Sequence, residues 1–397
     1  MNIIIACDSF KGSLSSRSVA AAIAAGLLRA EAALHLTQIP IADGGEGTVD
    51  AYLAAAGGER RTRTVRDPLG EPVEADYAIL PDGTAVIEMA QASGLPLLAG
   101  RTPDPMGAST YGTGQLIRAA LDDGCRSLLI GIGGSATTDG GAGMLQALGA
   151  RFLNGRGEPL APGGAALAEL REIDLTTFDP RLAQCRVRVA SDVTNPLCGP
   201  NGAAAVYAPQ KGAVPRQVQE LDRALAHYAD VAERTVGRAI RDLPGAGAAG
   251  GLGAGLMAFC GAVSGSGIDV MLDAVRFELL LTGADLVITG EGRIDGQSAE
   301  GKVPVGVARR AKAYRKDLPV FALVGSIGPG ARAVYDLGID SIQSITPGIL
   351  TLEQSMEQAA DLVADAAERL MRVILASKRS PSVGRMAEPF VGMEKIS

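Results

Sequence analysis

Asp8, Asp43, Asp192 and Asp295 each stand within a few residues of the end of a short apolar run, and Asp139 follows a longer glycine loop. In open α/β sheets ligands sit outside the carboxyl ends of the strands. Aspartates in these positions are therefore expected to converge on one cleft. A carboxylate there can take a proton from a hydroxyl or help to hold a hard cation. Asp is also a common helix cap and turn residue, so for any single aspartate the structural role stands beside the chemical one.

Two glycine-rich segments add a second kind of chemistry. Gly131-Ile-Gly133-Gly134-Ser135-Ala-Thr-Thr138-Asp139 follows an apolar run and opens a helix. Its backbone N–H groups and the helix dipole suit a phosphate. The same stretch fits a dinucleotide fingerprint, but the acidic residue expected ~20 positions on is absent from Arg151–Arg156. An NAD(P)-dependent oxidoreductase of a small hydroxy acid is thus the weaker alternative. Gly296 to Val303 has the spacing of a P-loop, yet Val303 stands where a Mg²⁺-binding hydroxyl belongs. Lys302 there still offers a point charge beside a helix start. Lys11 shares the Asp8–Ser9 loop, and Lys211 lies in Ala-Pro-Gln-Lys-Gly-Ala. Taken singly, surface lysines are more often inert.

The elements that must position these residues follow an α/β grammar. Strands are expected at Asn2–Cys7 and Leu36–Ile41, each followed by a helix. Strand–helix alternation returns from Asp285, with strands at Leu286–Thr289, Val320–Val324 and Ser341–Ile345 and a last helix over Leu352–Leu375. Between them, Arg60–Met89 reads as strands joined by turns at Asp67–Gly70 and Pro81–Gly83. Further strands are expected at Ser127–Ile132 and Val187–Ser191, and a long polar helix near Val214–Arg238. The economical fold is a two-domain α/β protein. Residues 1–59 and 283–376 form a discontinuous, doubly wound, mostly parallel domain. Residues 60–282 form an inserted mixed α/β domain, and 377–397 a loose tail.

Composition narrows the function classes. With 47% apolar and 20% charged residues the 397-residue chain is globular. A net charge of −7 without a basic run argues against nucleic acid. Two histidines leave little room for a zinc site or a His-based triad, and five scattered cysteines read as reduced thiols of a cytoplasmic protein. No apolar run approaches the ~20 residues that cross a membrane.

The motifs taken together resemble the bacterial type I glycerate kinases. They are DSFKGSLS from Asp8, IADGGEGT from Ile41, GIGGSATTDGGAGM from Gly131, SDVTNPLCG from Ser191, YAPQKGA from Tyr207 and ADLVITGEGRIDGQSAEGKVPVGVA from Ala284. The resemblance runs in order from Met1 to about Ala376. It implies a two-domain α/β fold with its site between the domains, and ATP with Mg²⁺ phosphorylating D-glycerate, most often to 2-phosphoglycerate. It also carries expected binding roles onto Asp8, Ser9, Asp43, Gly44, Gly45, Gly133, Gly134, Ser135, Thr138, Asp139, Asn195, Lys211, Gly290, Glu291, Gly292, Arg293 and Lys302.

Within that chemistry Asp192 is the first candidate for general base and Asp295 the second, with either as a Mg²⁺ ligand. Lys11, Lys302 and Arg293 are the candidate cations for the substrate carboxylate and the moving phosphoryl group. The working unit is expected to be a monomer or homodimer.

Overall fold

The computed structural model describes residues 1–42 and 44–379; Asp43 and residues 380–397, most of the expected tail, lie outside the described residues. In chain order the strands are β1 (Asn2–Cys7), β2 (His35–Pro40), β3 (Glu59–Arg66), β4 (Pro72–Ile79), β5 (Thr84–Glu88), β6 (Ser127–Gly131), β7 (Arg151–Leu153), β8 (Glu172–Asp174), β9 (Arg186–Ala190), β10 (Val263–Gly265), β11 (Leu286–Ile294), β12 (Val320–Ile327) and β13 (Ser341–Ser344). They form a five-stranded sheet ordered β13-β12-β11-β1-β2, a six-stranded sheet ordered β10-β9-β6-β5-β4-β3, and a β7–β8 ribbon.

The five-stranded sheet is parallel throughout and joins the two ends of the chain, Ile3 pairing with Leu286 and Cys7 with Gly290. β1 reads as an unbroken apolar run because both of its faces are covered. Alternate side chains point to opposite faces. Ile3, Ile5 and Cys7 meet Val19, Ile23 and Leu27 of helix Ser16–Ala30 and Val363 and Met371 of helix Ala359–Arg379. Gly26 lets those two helices touch, since a Cβ there would collide with the backbone of Ala364.

Ile4 and Ala6 look the other way, into a core that both sheets share. Val49 and Tyr52 of helix Thr48–Ala56 meet Ala78, Val86 and Leu129 of the six-stranded sheet there. Helix Gly267–Ala274 joins the same core and packs on helix Val303–Tyr314, where Gly306 makes room for Ile268.

In the six-stranded sheet β5, β6, β9 and β10 are parallel, while β3 and β4 form an antiparallel meander into β5. The two expected turns form, with Gly70 and Gly83 at positive φ. Asp67 holds the first turn by accepting from the N–H groups of Leu69 and Glu71.

The largest differences from the sequence reading lie at three boundaries, one of them the end of β12, which runs to Ile327 rather than Val324. β11 does not stop at Thr289 but runs to Ile294, because Gly290, Glu291, Arg293 and Ile294 pair onward with β12 and a side chain at Gly290 would strike the Leu323 carbonyl. The last helical stretch breaks at Gln358 and continues to Arg379, three residues beyond the expected end of the ordered chain.

Candidate functional site

From β1 the chain proceeds outward in both directions, to β2 on one side and, after the long excursion, to β11, β12 and β13 on the other. That reversal is the switch point at which open sheets take ligands. The loop leaving β1 there begins Asp8-Ser9-Phe10-Lys11. A cleft of about 1230 Å³ opens beside it, lined by Asp8, Ser9, Lys11, Gly45, Gly133 and Gly134 among others. Three loops far apart in sequence thus share one space, and each was singled out for its residue types.

The Asp8 loop is built from its own backbone. The N–H of Asp8 donates to the Gly290 carbonyl (2.9 Å), which continues the β1–β11 pairing, and Oδ1 of Asp8 accepts from the N–H of Ser9 (2.7 Å). Phe10 and Leu14 close a small turn, with Gly12 at positive φ in its crown. Ser15 then caps helix Ser16–Ala30 by accepting from the N–H of Ser18.

The Gly44–Gly47 loop leans on the other sheet. Gly133 donates its N–H to the Gly44 carbonyl at 2.9 Å, and a Cβ on Gly133 would lie 2.7 Å from Cα of Gly45. A Cβ on Gly44 would lie 2.5 Å from the carbonyl oxygen of Ala190, at the end of β9. The glycines at 44 and 133 therefore let the strand ends of the two sheets touch backbone to backbone. Asp43 falls in this loop, outside the described residues.

Gly290, Glu291, Gly292 and Arg293 lie within β11 rather than in a loop. Gly292 brings the strand against the Asp8 loop, where an added Cβ would sit 3.4 Å from Cα of Phe10. Glu291 is buried and accepts from the Ser298 hydroxyl at 2.5 Å. Burial pushes its carboxyl above the ordinary range; the Ser298 bond, Lys302 and Lys11 oppose this, and Asp295 adds to it. Asp295 caps the short turn Gly296–Glu300, accepting from the N–H of Gln297 at 3.0 Å, and pairs with exposed Arg293 at 3.2 Å. Lys302 is exposed at the start of helix Val303–Tyr314.

Asp192 is exposed two residues past the end of β9, its Oδ1 accepting from the N–H of Gly267 at 3.1 Å. Asn195, in the same loop, has its amide engaged internally: Nδ2 donates to the Asn201 carbonyl and Oδ1 accepts from the Tyr207 hydroxyl.

Besides Glu291, four side chains expected at the ligand are buried. Asp139 is fully covered, and its carboxylate accepts from the N–H and hydroxyl of Thr110 and from the N–H groups of Gly141 and Gly143. Burial pushes this carboxyl up while those bonds pull it down. Lys211 is fully buried too, donating to the Thr137 carbonyl at 2.5 Å, and burial pushes its ammonium down to about 7. Thr138 is buried with its hydroxyl unpartnered, and Ser135 is buried in a bridge to Gly94. The reason is cover: Tyr228 of helix Pro215–Val236 lies on Gly140, and Leu252 of helix Leu252–Cys260 lies on Gly141. These side chains hold the glycine loop in shape, and only its first turn, Gly133–Gly134, reaches the cleft.

Sequence reasoning missed Glu88, Gln91, Arg17 and Arg60. Gln91, Arg17 and Arg60 line the cleft. Glu88 closes β5 and is buried behind the Gly44–Gly47 loop. Its signal was the one used for the aspartates, an acid ending an apolar strand, here applied to Asp alone.

Among the described residues no helix is long and apolar enough to cross a membrane, and the five cysteines are unpaired. The profile of the glycerate kinase family matches residues 3–375. A glycerate kinase of Bacillus subtilis (strain 168) is 50% identical over 378 residues, spanning 95% of this chain and 97% of that protein. The glycerate 2-kinase of Escherichia coli (strain K12) is 47% identical over 381 residues, 96% and 100% of the two chains. A crystal structure from Salmonella typhimurium LT2, provisionally named a glycerate kinase 2, has a TM-score of 0.85 at 46% identity, covering 95% of this chain and 99% of that one. The match takes in all three loops that meet at the cleft, and the chain belongs to the glycerate kinase family.

Proposed function

We propose that this chain transfers the γ-phosphoryl group of ATP to the 2-hydroxyl of D-glycerate, giving 2-phosphoglycerate and ADP in the cytoplasm. The observation that carries the reading is the meeting of the Asp8–Lys11, Gly45–Gly47 and Gly133–Gly134 segments in one cleft of about 1230 Å³. That volume exceeds the roughly 300–1,000 Å³ of common small-ligand sites, as a nucleotide and an acid bound together require. Family membership supplies the chemistry and removes the reason to pursue the oxidoreductase alternative. Each sheet with its helices is taken as one domain, the first built from both chain ends, acting as a monomer or homodimer.

Phosphoryl transfer asks the protein mainly to position groups and neutralise charge. Lys11, exposed in the cleft wall, would meet the transferring phosphoryl group or the glycerate carboxylate. Asp192, on the strand-end loop beside the Gly44 contact, would accept the hydroxyl proton as oxygen attacks phosphorus. The bond from the γ-phosphorus to the bridging oxygen of ADP breaks as the new P–O bond forms.

Mg²⁺ needs only one or two carboxylates when phosphates and water complete its shell. Among the described residues no three His, Cys, Asp or Glu side chains gather into a cage, which fits an ion carried mostly by the nucleotide. Asp295 is the protein ligand in this reading, since each carboxylate oxygen keeps acceptor capacity beyond the Gln297 and Arg293 contacts. Bound there, Mg²⁺ would neutralise phosphate charge.

The decisive experiment is a coupled ATP-consumption assay over D-glycerate, tartronate, hydroxypyruvate and short sugar acids, with ³¹P and ¹³C NMR of the product. D-Glycerate should give the highest kcat/KM and the phosphate should sit on C2. No ATP turnover with any of these acids would end the proposal, and a phosphate on C3 would correct the product.

A further inference from the structure

Helix Thr48–Ala56 begins without a cap of its own. Its N-cap position is Gly47, in the left-handed region at φ 83°, and offers no side chain to the first N–H groups. A helix start leaves several backbone donors unpaired, and a nearby Ser, Thr, Asp or Asn usually takes one of them. Here the acceptor comes from the other sheet. Glu88 closes β5, pairs with Gly131 of β6, and sends its carboxylate across to the helix start. One oxygen accepts from the N–H of Gly47 and the other from the N–H of Val49, both at 3.2 Å.

The same loop is pinned at its other end. The Gly44 carbonyl takes the N–H of Gly133, and Cα of Gly44 lies against the Ala190 carbonyl. Gly45, Glu46 and Gly47, the cleft wall, lie between these two anchors, and the Gly45 carbonyl also accepts from the Thr48 hydroxyl at 2.6 Å. Glu88 itself is 1% exposed, so it does not line the cleft and touches ligand only through the wall it holds.

We propose that Glu88 is a positioning residue, fixing the Gly45–Gly47 wall of the cleft by capping helix Thr48–Ala56 from the opposite sheet. Its burial supports a role beyond stability. Loss of water pushes the carboxyl above the ordinary range; the Val49 and Gly47 bonds oppose this, Asp50 adds to it, and Gln91 opposes it. The native state then holds this proton more tightly than the unfolded chain does. At neutral pH the charge therefore opposes folding, and that opposition fades as pH falls through the raised native value. A cap supplied by Ser or Asp at position 47 would avoid that burial. What it would lose is the tie between the cleft wall and the second sheet.

The test uses the full chain, and only its kinetic arm rests on the kinase reading. Glu88→Gln keeps the shape of the side chain but turns an N–H donor toward one of the two amides. Hydrogen exchange across residues 44–49 should quicken about tenfold or more, with exchange in helix Val303–Tyr314 unchanged and Tm equal to or above wild type. kcat/KM should fall about 10–100-fold, the scale of a displaced contact near reacting groups. Glu88→Asp, which keeps charge but withdraws it by one methylene, should show a smaller change in the same amides. It carries the test if the Gln variant does not fold.

Wild-type exchange at residues 44–49 in a folded variant would overturn the proposal. So would a drop in Tm with faster exchange throughout and kcat/KM unchanged per folded molecule. If the wild type consumes no ATP with any tested acid, the kinase reading fails and the exchange experiment still decides the role of Glu88.

Discussion

The Asp8–Ser15 loop and the Gly133–Gly143 loop share glycine, serine or threonine and an aspartate; the first carries Lys11 itself, and the fold brings Lys211 to the second. Their fates are opposite. The first exposes Lys11 in the cleft wall with Asp8 and Ser9. The second gives the cleft only its opening glycines, and folds Asp139 and its lysine, Lys211, into the interior. Composition does not separate them; cover does. Two helices lie over Gly140 and Gly141, whereas the Asp8 loop is anchored through Phe10, the Asp8 N–H and the Ser13 hydroxyl, which donates to the Met356 carbonyl, and leaves Lys11 on the surface. A phosphate-like sequence therefore marks either a ligand loop or a loop that has closed on its own aspartate.

Variants on the two sides should break in different currencies. The largest loss is expected outside both loops, on the exposed loop after β9: Asp192→Asn should lower kcat about 10²–10⁴-fold, the range for positioned acid–base groups, with Tm and the KM for glycerate little changed. Steady-state kinetics with both substrates decide it, and a loss confined to the KM for Mg·ATP would make Asp192 a metal ligand instead. Lys11→Ala should follow, costing about 2.7–4 kcal/mol of transition-state stabilisation, or about 10²–10³-fold in turnover, if it meets developing charge. Unchanged kcat/KM for both ATP and glycerate would return it to the inert surface lysines.

On the closed side Asp139→Ala should act on folding, because three N–H groups would be left buried without a partner. Each costs about 1–3 kcal/mol, so denaturant unfolding should show a loss on the order of 3 kcal/mol or more. A stable, inactive Ala variant would contradict that assignment.

The smallest expected effect is a change of slope. Lys211 is held down to about 7 from an ordinary 10.5, so between these values the unfolded chain binds the extra proton and this group makes stability rise with pH. Lys211→Met should remove that rise. Relative to wild type it should gain most in Tm at pH 6–7, and the difference should shrink toward pH 9. A difference constant over that range would show that the lysine does not titrate in the folded state.

These contrasts mark how far the residues spoke for themselves. The doubly wound sheet was legible because β1, the Leu286–Ile288 stretch of β11 and the Ala322–Val324 stretch of β12 are buried and read as apolar runs. The Asp8 loop was legible for a related reason: a polar cluster directly after such a strand has little to do but cap or bind. Asp139 and Lys211 were expected at the ligand and lie in the interior, because their partners are backbone groups, at Gly141, Gly143 and Thr137, that carry no signature in the sequence. A clue existed in helix Pro215–Val236, whose Leu221, Leu225 and Tyr228 form a stripe that had to cover something. Asp295 shows an intermediate case: its spacing is that of a strand-end acid, yet its first contacts are a cap and an ion pair. Glu88 was invisible as a cap because its helix lies some 40 residues earlier in the chain, outside any local pattern.

The joining of both chain ends in one sheet also governs how the molecule is made. Asn2 donates its N–H to Asp285, 283 residues later, and β1 has its β11 partner only when that segment leaves the ribosome. Until then β1 and β2 are a two-stranded apolar piece with an open edge, the kind of surface that pairs wrongly with other chains. The strands of the six-stranded sheet lie between and emerge before β11, and long-range pairing of this kind slows folding. During synthesis β1 and β2 therefore wait for β11, while helix Thr48–Ala56 can already pack on the strands of the six-stranded sheet that bury Val49 and Tyr52.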